Sequence, residues 1–471
     1  MSLQKFKKCG RAGLILLLCS FISAAQPSTR ATAFKHITVI DMKRTSAQSN
    51  MTVLTAGNRI QAIGKDGKIR VPKDAQVIDV KGKFLIPGLW DMHVHALWPW
   101  RTETYFRLFI ANGVTSVRDM YDDFDLVKQC RQQAGGRLIG PRIIASGPIV
   151  DGPEPEWKGS IAVSSQVEAI HTVGSLKSRG VDFIKVYNLL PRDAYSSLSR
   201  EARKLGIPFA GHVPYAVSAA EASNAGQKSI EHLTGIFLSC ASNEDELRRE
   251  FLEEISKADK KPSRVDLELK AMEFYDAKKA EQLFDRFVSN ETWQCPTLVA
   301  ARGAAYKNDD RIRDDPRLGY IIPMERQYWF ASETVQNEAE IANLKRRFQR
   351  LLELVKVMHR AGVKFLAGTD SAVPFVFPGF SLHDELELFV ASGFTPLEAL
   401  QTATRNPAEF LGMMKDLGTI EKGKLADLVI LESNPLEDIR NTRKIFGVVT
   451  NGKYLPRESL QKMLAEAEVI R

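Results

Sequence analysis

Cysteine is scarce in this chain, at 5 of 471 residues, and none sits in a Cys-x-x-Cys pair, so a cysteine-based zinc site is not expected. Cys130, Cys240 and Cys295 lie beyond the first 25 residues; three is an odd number, which leaves room for one disulfide and a spare thiol, or for none. Basic runs are missing as well. Residues 1–25 carry four cations and no acid, so the formal charge of +8 drops to +4 without them, and nothing points to a nucleic-acid partner. No apolar stretch reaches the ~20 residues a bilayer span needs, and no fixed-period repeat suggests a solenoid. A hydrophobic fraction of 44% argues against disorder.

The longest apolar run, residues 12–22, follows Lys5, Lys7, Lys8 and Arg11 and precedes Ser23, Ala24 and Ala25. That order is the layout of a secretory signal peptide over residues 1–25, which predicts cleavage near Ala25 and an exported, periplasmic or secreted, protein with no membrane span after cleavage. An uncleaved anchor is the alternative, and the run is short for one. The remaining length exceeds what a single core usually fills, so a large domain and a smaller one are expected.

Both ends of that remainder read as β-structure. Phe34–Asp41, Met51–Leu54, Arg59–Gly64 and Gln76–Val80 are short alternating segments, and Ala426–Leu431 and Phe446–Tyr454 have the same character. A composite β-sandwich over 33–86 and 415–456 is the resulting expectation. Between the ends, strands alternate with helical stretches. Eight apolar runs qualify as strands: Gly88–His95, Val114–Val117, Arg142–Ala145, Asp182–Tyr187, Pro208–His212, Ser229–Leu233, Cys295–Val299 and Lys364–Asp370. Eight is the number that closes a parallel barrel, so a (β/α)8 TIM-like fold is predicted over 87–414. Thr395-Pro-Leu-Glu398 is a capping box, and Asn406-Pro407 repeats the order of cap then proline. The charged stretch at about 243–290 is longer than a connecting helix requires. It predicts a helical insertion that either partly covers the barrel mouth or stands off as a solvated hairpin.

Polar, metal-capable side chains cluster at the carboxyl ends of these runs, where such barrels do their chemistry. His93 and His95 are two apart on a strand, so both point the same way and can reach one cation. Lys185 sits mid-strand among apolar neighbours. An unpaired ammonium there is costly, so it either pairs with a carboxylate or has reacted with CO₂ to give an anionic carbamate able to bridge two metals. His212 and His232, on successive strands, fit a second cation. Asp370 ends the eighth run as a helix N-cap, or as a metal ligand that accepts the proton of an attacking water. Asp91 shares the parity of His93 and could orient the site from below. Tyr187, two beyond Lys185, is a packed tyrosine or a hydrogen-bond donor to a substrate carboxylate or oxyanion. His36, His171 and His359 are assigned no role, and His383 is at most a supporting residue.

Ile86-Pro-Gly-Leu-Trp-Asp-Met-His-Val-His95, the strand lysine, the two later histidines and Gly368-Thr-Asp370 together resemble the amidohydrolase superfamily. The resemblance runs over essentially the whole chain beyond the leader, through Gly423–Val429. It is strongest to the imidazolonepropionase-related branch, which includes metal-dependent Xaa-Pro dipeptidases (prolidases) and N-acyl amino acid hydrolases; Lys185 argues against a one-metal imidazolonepropionase itself. The resemblance implies two divalent metal ions, zinc being the expected pair and manganese or cobalt also compatible, with Lys185 N6-carboxylated. His93, His95, Lys185 and Asp370 would hold the more buried ion, and Lys185, His212 and His232 the outer one. It also implies hydrolysis of a small amide by metal-bound hydroxide, with Asp370 as the acid–base catalyst. A dipeptide with C-terminal proline or an N-acyl amino acid is the expected substrate. The same site would serve a lactonase or a ring deaminase, a non-enzymatic binding protein is the remaining class, and a homo-oligomer is compatible with all of them.

Overall fold

Short β-branched stretches from both ends of the chain pair into one mixed sheet. Its strands run in the order Lys453–Pro456, Ile445–Thr450, Leu428–Leu431, Phe84–Pro87, Thr32–Val39, Gln48–Ala56 and Arg59–Lys65, with Gln76–Asp79 also parallel to Thr32–Val39. This computed structural model describes residues 30–134, 139–257, 262–331 and 338–468, so the expected signal segment lies outside the described residues. The alternation of the central strands explains how the sheet is anchored. Leu85, Leu428 and Ile430 pack with Phe34 and Val53 on one face, whereas Ile86, Val429 and Leu431 join the large core on the other.

The middle of the chain is α/β with parallel strands. Leu89–Val94, Val114–Asp119 and Arg142–Ala145 form a three-stranded sheet. A six-stranded one runs Ile161–Ala162, Ile149–Asp151, Ile184–Val186, Phe209–Gly211, Ser229–Glu231 and Trp293–Cys295. The backbone N–H of Asp182 donates to the Ala145 carbonyl (3.1 Å), bringing the two sheets together. Residues 364–371 lie across the opposite gap. Leu366 N–H donates to Gln294 on one side, and on the other Met92 N–H donates to Ala367 and Asp370 N–H to His93, at 2.7–2.9 Å. Gly368 makes that approach possible: a Cβ there would stand 2.5 Å from the Cys295 sulfur and 2.8 Å from His93 Cβ.

Several sequence expectations shift. Lys364–Asp370 is not a regular strand but an extended segment with isolated bridges. The seventh run stops at Cys295; Pro296 offers no N–H, Thr297 turns with φ +48°, and Leu298–Tyr306 is helical. Phe446–Tyr454 is a hairpin turning on Asn451-Gly452, both at positive φ, as a two-residue loop requires. Asn406 lies inside the helix Arg405–Phe410 and donates to the Phe365 carbonyl instead of capping. The Thr395–Glu398 capping box is present. The charged stretch forms three helices, Glu244–Lys257, Arg264–Glu273 and Ala277–Ser289. Among the described residues no helix is long and apolar enough to cross a membrane, and Cys130, Cys240 and Cys295 are buried and free.

Candidate metal centre

The six residues singled out above converge at the carboxyl ends of the parallel strands. Alternation alone puts His93 on the inner face. The rings of His93 and His95 lie 5.4 Å apart, His93 and His232 4.5 Å, and His212 and His232 4.9 Å. One oxygen of Asp370 is 3.4 Å from His93 Nε2 and 3.1 Å from His95 Nε2, and potential donor atoms of His93, His232 and Asp370 all fall within 4.8 Å of one another. Two of these residues reach the centre only through unusual backbone. His232 (φ +57°) and Asp370 (φ +64°) adopt left-handed conformations that cost a non-glycine residue energy and cluster at functional sites. The turn at His232 breaks strand alternation, so that Glu231 and His232 both face the centre.

Three imidazoles are fixed through Nδ1. His93 Nδ1 meets Glu231 Oε2 at 2.8 Å, His212 Nδ1 meets Asn188 Oδ1 at 2.7 Å, and His232 Nδ1 meets Thr297 Oγ1 at 2.6 Å. The carboxylate and amide oxygens can only accept, so they set the tautomer of His93 and His212 and leave Nε2 as the ligating lone pair, while the Thr297 hydroxyl fixes the orientation of the His232 ring. Buried His93 Nε2 finds no hydrogen-bond partner, an orphaned acceptor of the kind a cation would satisfy. Burial first, and then the positive charge of Lys185, pushes His93 down to about 4, and the same two causes hold His212 well below its ordinary value. His232 is likewise depressed, mainly by burial. Neutral imidazoles are the form that binds metal. The donor set therefore suits a divalent ion.

Lys185 is buried at 1% exposure in Ile184–Val186, and among the described residues no carboxylate forms an ion pair with it. Desolvation pushes its amine down to about 8, although Glu231 and Asp370 pull the other way. Close backbone packing brings it in: Gly211, before His212, would clash with Val186 O (2.2 Å) if it carried a Cβ. Asp370 is held well below the carboxylate range; burial raises it, but His232, His93 and His95 more than offset that.

Beneath the histidines lies a network that strand-by-strand reading did not reveal. Arg118 Nη2 reaches both oxygens of Glu231 (2.9 and 3.0 Å), and Ser229 Oγ donates to the same carboxylate at 2.5 Å; all three are essentially fully buried. An acid closing the short, fully buried strand Ser229–Glu231 was the available signal. Asp91 ties the first strand to residues 364–371, accepting from Thr369 N (3.0 Å) and Thr369 Oγ1 (2.6 Å), so it sets the position of Asp370 rather than holding a histidine ring. Asn188 Nδ2 donates to Glu156 (2.8 Å) behind His212. Tyr187 faces the same opening, its ring 4.0 Å from that of His212 and its hydroxyl accepting from Trp157 Nε1 at 2.8 Å. His383 is not part of the site: its nitrogens contact Thr442 Oγ1 and the Asn112 carbonyl. His36 contacts Asp79 and His359 stacks on Phe394, both elsewhere.

The chain belongs to the amidohydrolase family, whose sequence profile matches residues 84–271 and 337–455. The family makes it a hydrolase of the carbon–nitrogen class and one expected to carry divalent metal. Ochratoxinase of Aspergillus niger is 42% identical over 83 residues, a match covering 17% of this chain and only 16% of that enzyme. A 5-methylthioadenosine/S-adenosylhomocysteine deaminase of Bacillus cereus is 21% identical over 451 residues, covering 84% of this chain and 86% of the deaminase. The fold is shared with a crystal structure of a Xaa-Pro dipeptidase with methionine in its active site, at TM-score 0.67 and 21% identity, covering 90% of this chain and all of the other.

Proposed function

We propose that this chain is a binuclear metal-dependent hydrolase that cleaves a small amide, a dipeptide with C-terminal proline or an N-acyl amino acid. In this reading the parallel strands and residues 364–371 form one closed (β/α)8 barrel over 87–414, with the helical insertion at about 243–290, and the terminal sheet belongs to a small β-sandwich. The hydrogen bonds on both sides of residues 364–371 support closure. Export through residues 1–25 belongs to the same reading, supported by the order of charged, apolar and small residues there.

One observation carries the proposal: three histidines pinned through Nδ1 and turned, with Asp370, on a buried lysine that has no ion-pair partner among the described residues. His93, His95, Lys185 and Asp370 would hold one cation and Lys185, His212 and His232 the other, with zinc the expected metal. When bound, the ions supply Lewis acidity, lowering the pKa of water from 15.7 to about 7 and polarising the scissile carbonyl. The protein's residues do the rest. With its amine at about 8, Lys185 has a neutral fraction at pH 7 that attacks the carbon of CO₂; the nitrogen then loses a proton, leaving an anionic carbamate with two ligand oxygens. Asp370 takes the proton of the attacking water and returns it to the leaving nitrogen. Tyr187 accepts its hydrogen bond from Trp157, so its own proton is available to a substrate carboxylate or oxyanion.

A ring deaminase is the second reading, favoured by similarity along 84% of the chain; a lactonase would use the same groups. The test is metal analysis and turnover of protein purified with zinc and CO₂, assayed on Xaa-Pro dipeptides, N-acyl amino acids, lactones and aminated heterocycles. Two metals per chain and selective amide cleavage are expected, both lost in Lys185→Met. Cleavage of the heterocycles alone would transfer the site to the second reading, and full activity of Lys185→Met would sink the binuclear proposal.

A further inference from the structure

Aromatic rings continue outward from the metal centre on the side that the chemistry above leaves unused. Three of the chain's six tryptophans, Trp98, Trp100 and Trp157, lie on loops that follow parallel strands. The histidine rings run in the order His95, His93, His232, His212, each against the next. Tyr187 stands against the last of them, and Tyr121 against the first, with ring centroids 6.4 Å apart. Trp98 lies 6.3 Å beyond Tyr121, and Trp100 lies 5.0 Å beyond Trp98. These edge-on and tilted contacts are the ordinary range of aromatic pairs. Rings that only filled a core would be buried. Trp98 and Tyr121 are instead part-exposed, and Trp100 and Trp157 are each 51% exposed. His95, at 22%, is the most open of the four histidines, so a ligand can enter along this side.

Residues 152–160 tie the two sides of the opening together. Trp157 Nε1 donates to Tyr187 Oη at 2.8 Å, and the carbonyl of the next residue, Lys158, accepts from Tyr121 Oη. Glycines allow the close approach at both ends of this loop. A Cβ on Gly152 would stand 2.2 Å from the Leu189 carbonyl oxygen, and one on Gly159, at φ +95°, would stand 2.9 Å from Tyr121 Oη. Asp151 holds the loop further, accepting from Glu156 N (3.1 Å) and Leu189 N (2.7 Å). Trp98 is fixed as well: the Arg101 guanidinium lies 5.1 Å from its ring and is itself bound to Glu325 at 2.8 Å. Tyr121 therefore spends its one proton on the loop, and what it offers a ligand is the ring.

We propose that Tyr121 and Trp98 form a subsite for a planar aromatic group on the substrate's acyl half, an arylacyl group or an aromatic N-terminal residue. This rests on the amide-hydrolase reading, in which Tyr187 takes the carboxylate end and the acyl group falls toward His95 and Tyr121. Binding of acetate, cyclohexylacetate and phenylacetate to the zinc-loaded full chain is measured by calorimetry, and cleavage of the matching N-acyl prolines and leucines is followed beside it. Phenylacetate is expected to bind wild type roughly 10- to 100-fold tighter than acetate, the worth of burying a ring. It should also bind about 2- to 10-fold tighter than cyclohexylacetate, the worth of an aromatic pair beyond its area. In Tyr121→Leu and Trp98→Leu the second ratio falls toward one, whereas Tyr121→Phe, which keeps the ring and loses the tie to Lys158, retains it. Melting temperature and zinc content identify a variant that has failed to fold, and the other leucine variant then decides. A wild type without preference for the aryl acid, or a ratio unchanged in both leucine variants, overturns the proposal. An aryl preference lost in those variants, with no N-acyl or Xaa-Pro substrate cleaved, would leave the subsite standing and remove the amide-hydrolase reading. Cleavage of such amides with no aryl preference would do the reverse.

Discussion

Replacing Glu231 by glutamine changes one oxygen to a nitrogen at a position with no solvent exposure, and its effects can be worked out contact by contact. The carboxylate serves three groups: His93 Nδ1, Arg118 Nη2 and Ser229 Oγ. Glutamine keeps the shape and removes the charge, leaving the Arg118 guanidinium buried at 0% exposure without its counter-ion. Breaking a buried pair on one side costs about 3–5 kcal/mol. Separately, His93 loses the charged partner that fixes its tautomer, which for such supporting residues lowers metal affinity by roughly 10- to 100-fold. The two effects can be separated. In Arg118→Met with Glu231→Leu no orphaned charge remains, so most of the stability should return while zinc retention stays poor. Zinc affinity by chelator competition and apo-protein melting, measured on wild type, Glu231→Gln and the double variant, give both quantities. If Glu231→Gln holds zinc as tightly as wild type, the carboxylate does not position His93 and the argument is wrong.

Three further outcomes are expected. Asp384 is pushed up by burial, but Arg317, Arg302 and Arg443 more than offset this and hold it at about 2, against an ordinary 3.8. A depressed carboxyl stabilises the fold above the unfolded value, so about 2 kcal/mol should be lost as pH falls from about 4 toward 2; acid unfolding of Asp384→Asn, compared with wild type, should lack that limb. Gly368→Ala forces a methyl to within 2.5 Å of Cys295 Sγ; overpacking of about 1–3 kcal/mol is expected, read by denaturant titration together with lower zinc content. Asp370→Asn should abolish turnover on every substrate the wild type accepts, and appreciable residual rate would exclude Asp370 as the proton carrier.

The candidate ligand set was legible from two local signals: His95, His212, His232 and Asp370 are polar residues at or just past the end of an apolar run, with His93 two before His95, and Lys185 is a lone cation in the middle of an apolar strand. Their partners were not. Glu231, Asn188, Thr297 and Arg118 come from other strands and loops and meet the histidines only through the lateral packing of the sheet, which no local period encodes. His232 shows the limit of alternation. By parity it should face away from Glu231, and only the left-handed turn at φ +57° brings both to one centre. The terminal sheet was readable from its β-branched alternation, but Phe446–Tyr454 was read as one strand although Asn451-Gly452 carried the turn signal. The strand Ile149–Asp151 was missed because Gly147 and Pro148 separate it from the run before it.

Pairing of Phe84–Pro87 with Leu428–Leu431 joins segments roughly 340 residues apart. At the usual pace of the ribosome, about 5–20 residues per second, the earlier strand would wait roughly 20–70 s for its partner to be made. Throughout that interval Leu85 and Ile86 would lie on an open edge, a template for pairing with another nascent chain. Newly made copies therefore depend, for their first minute, on whatever shields that edge.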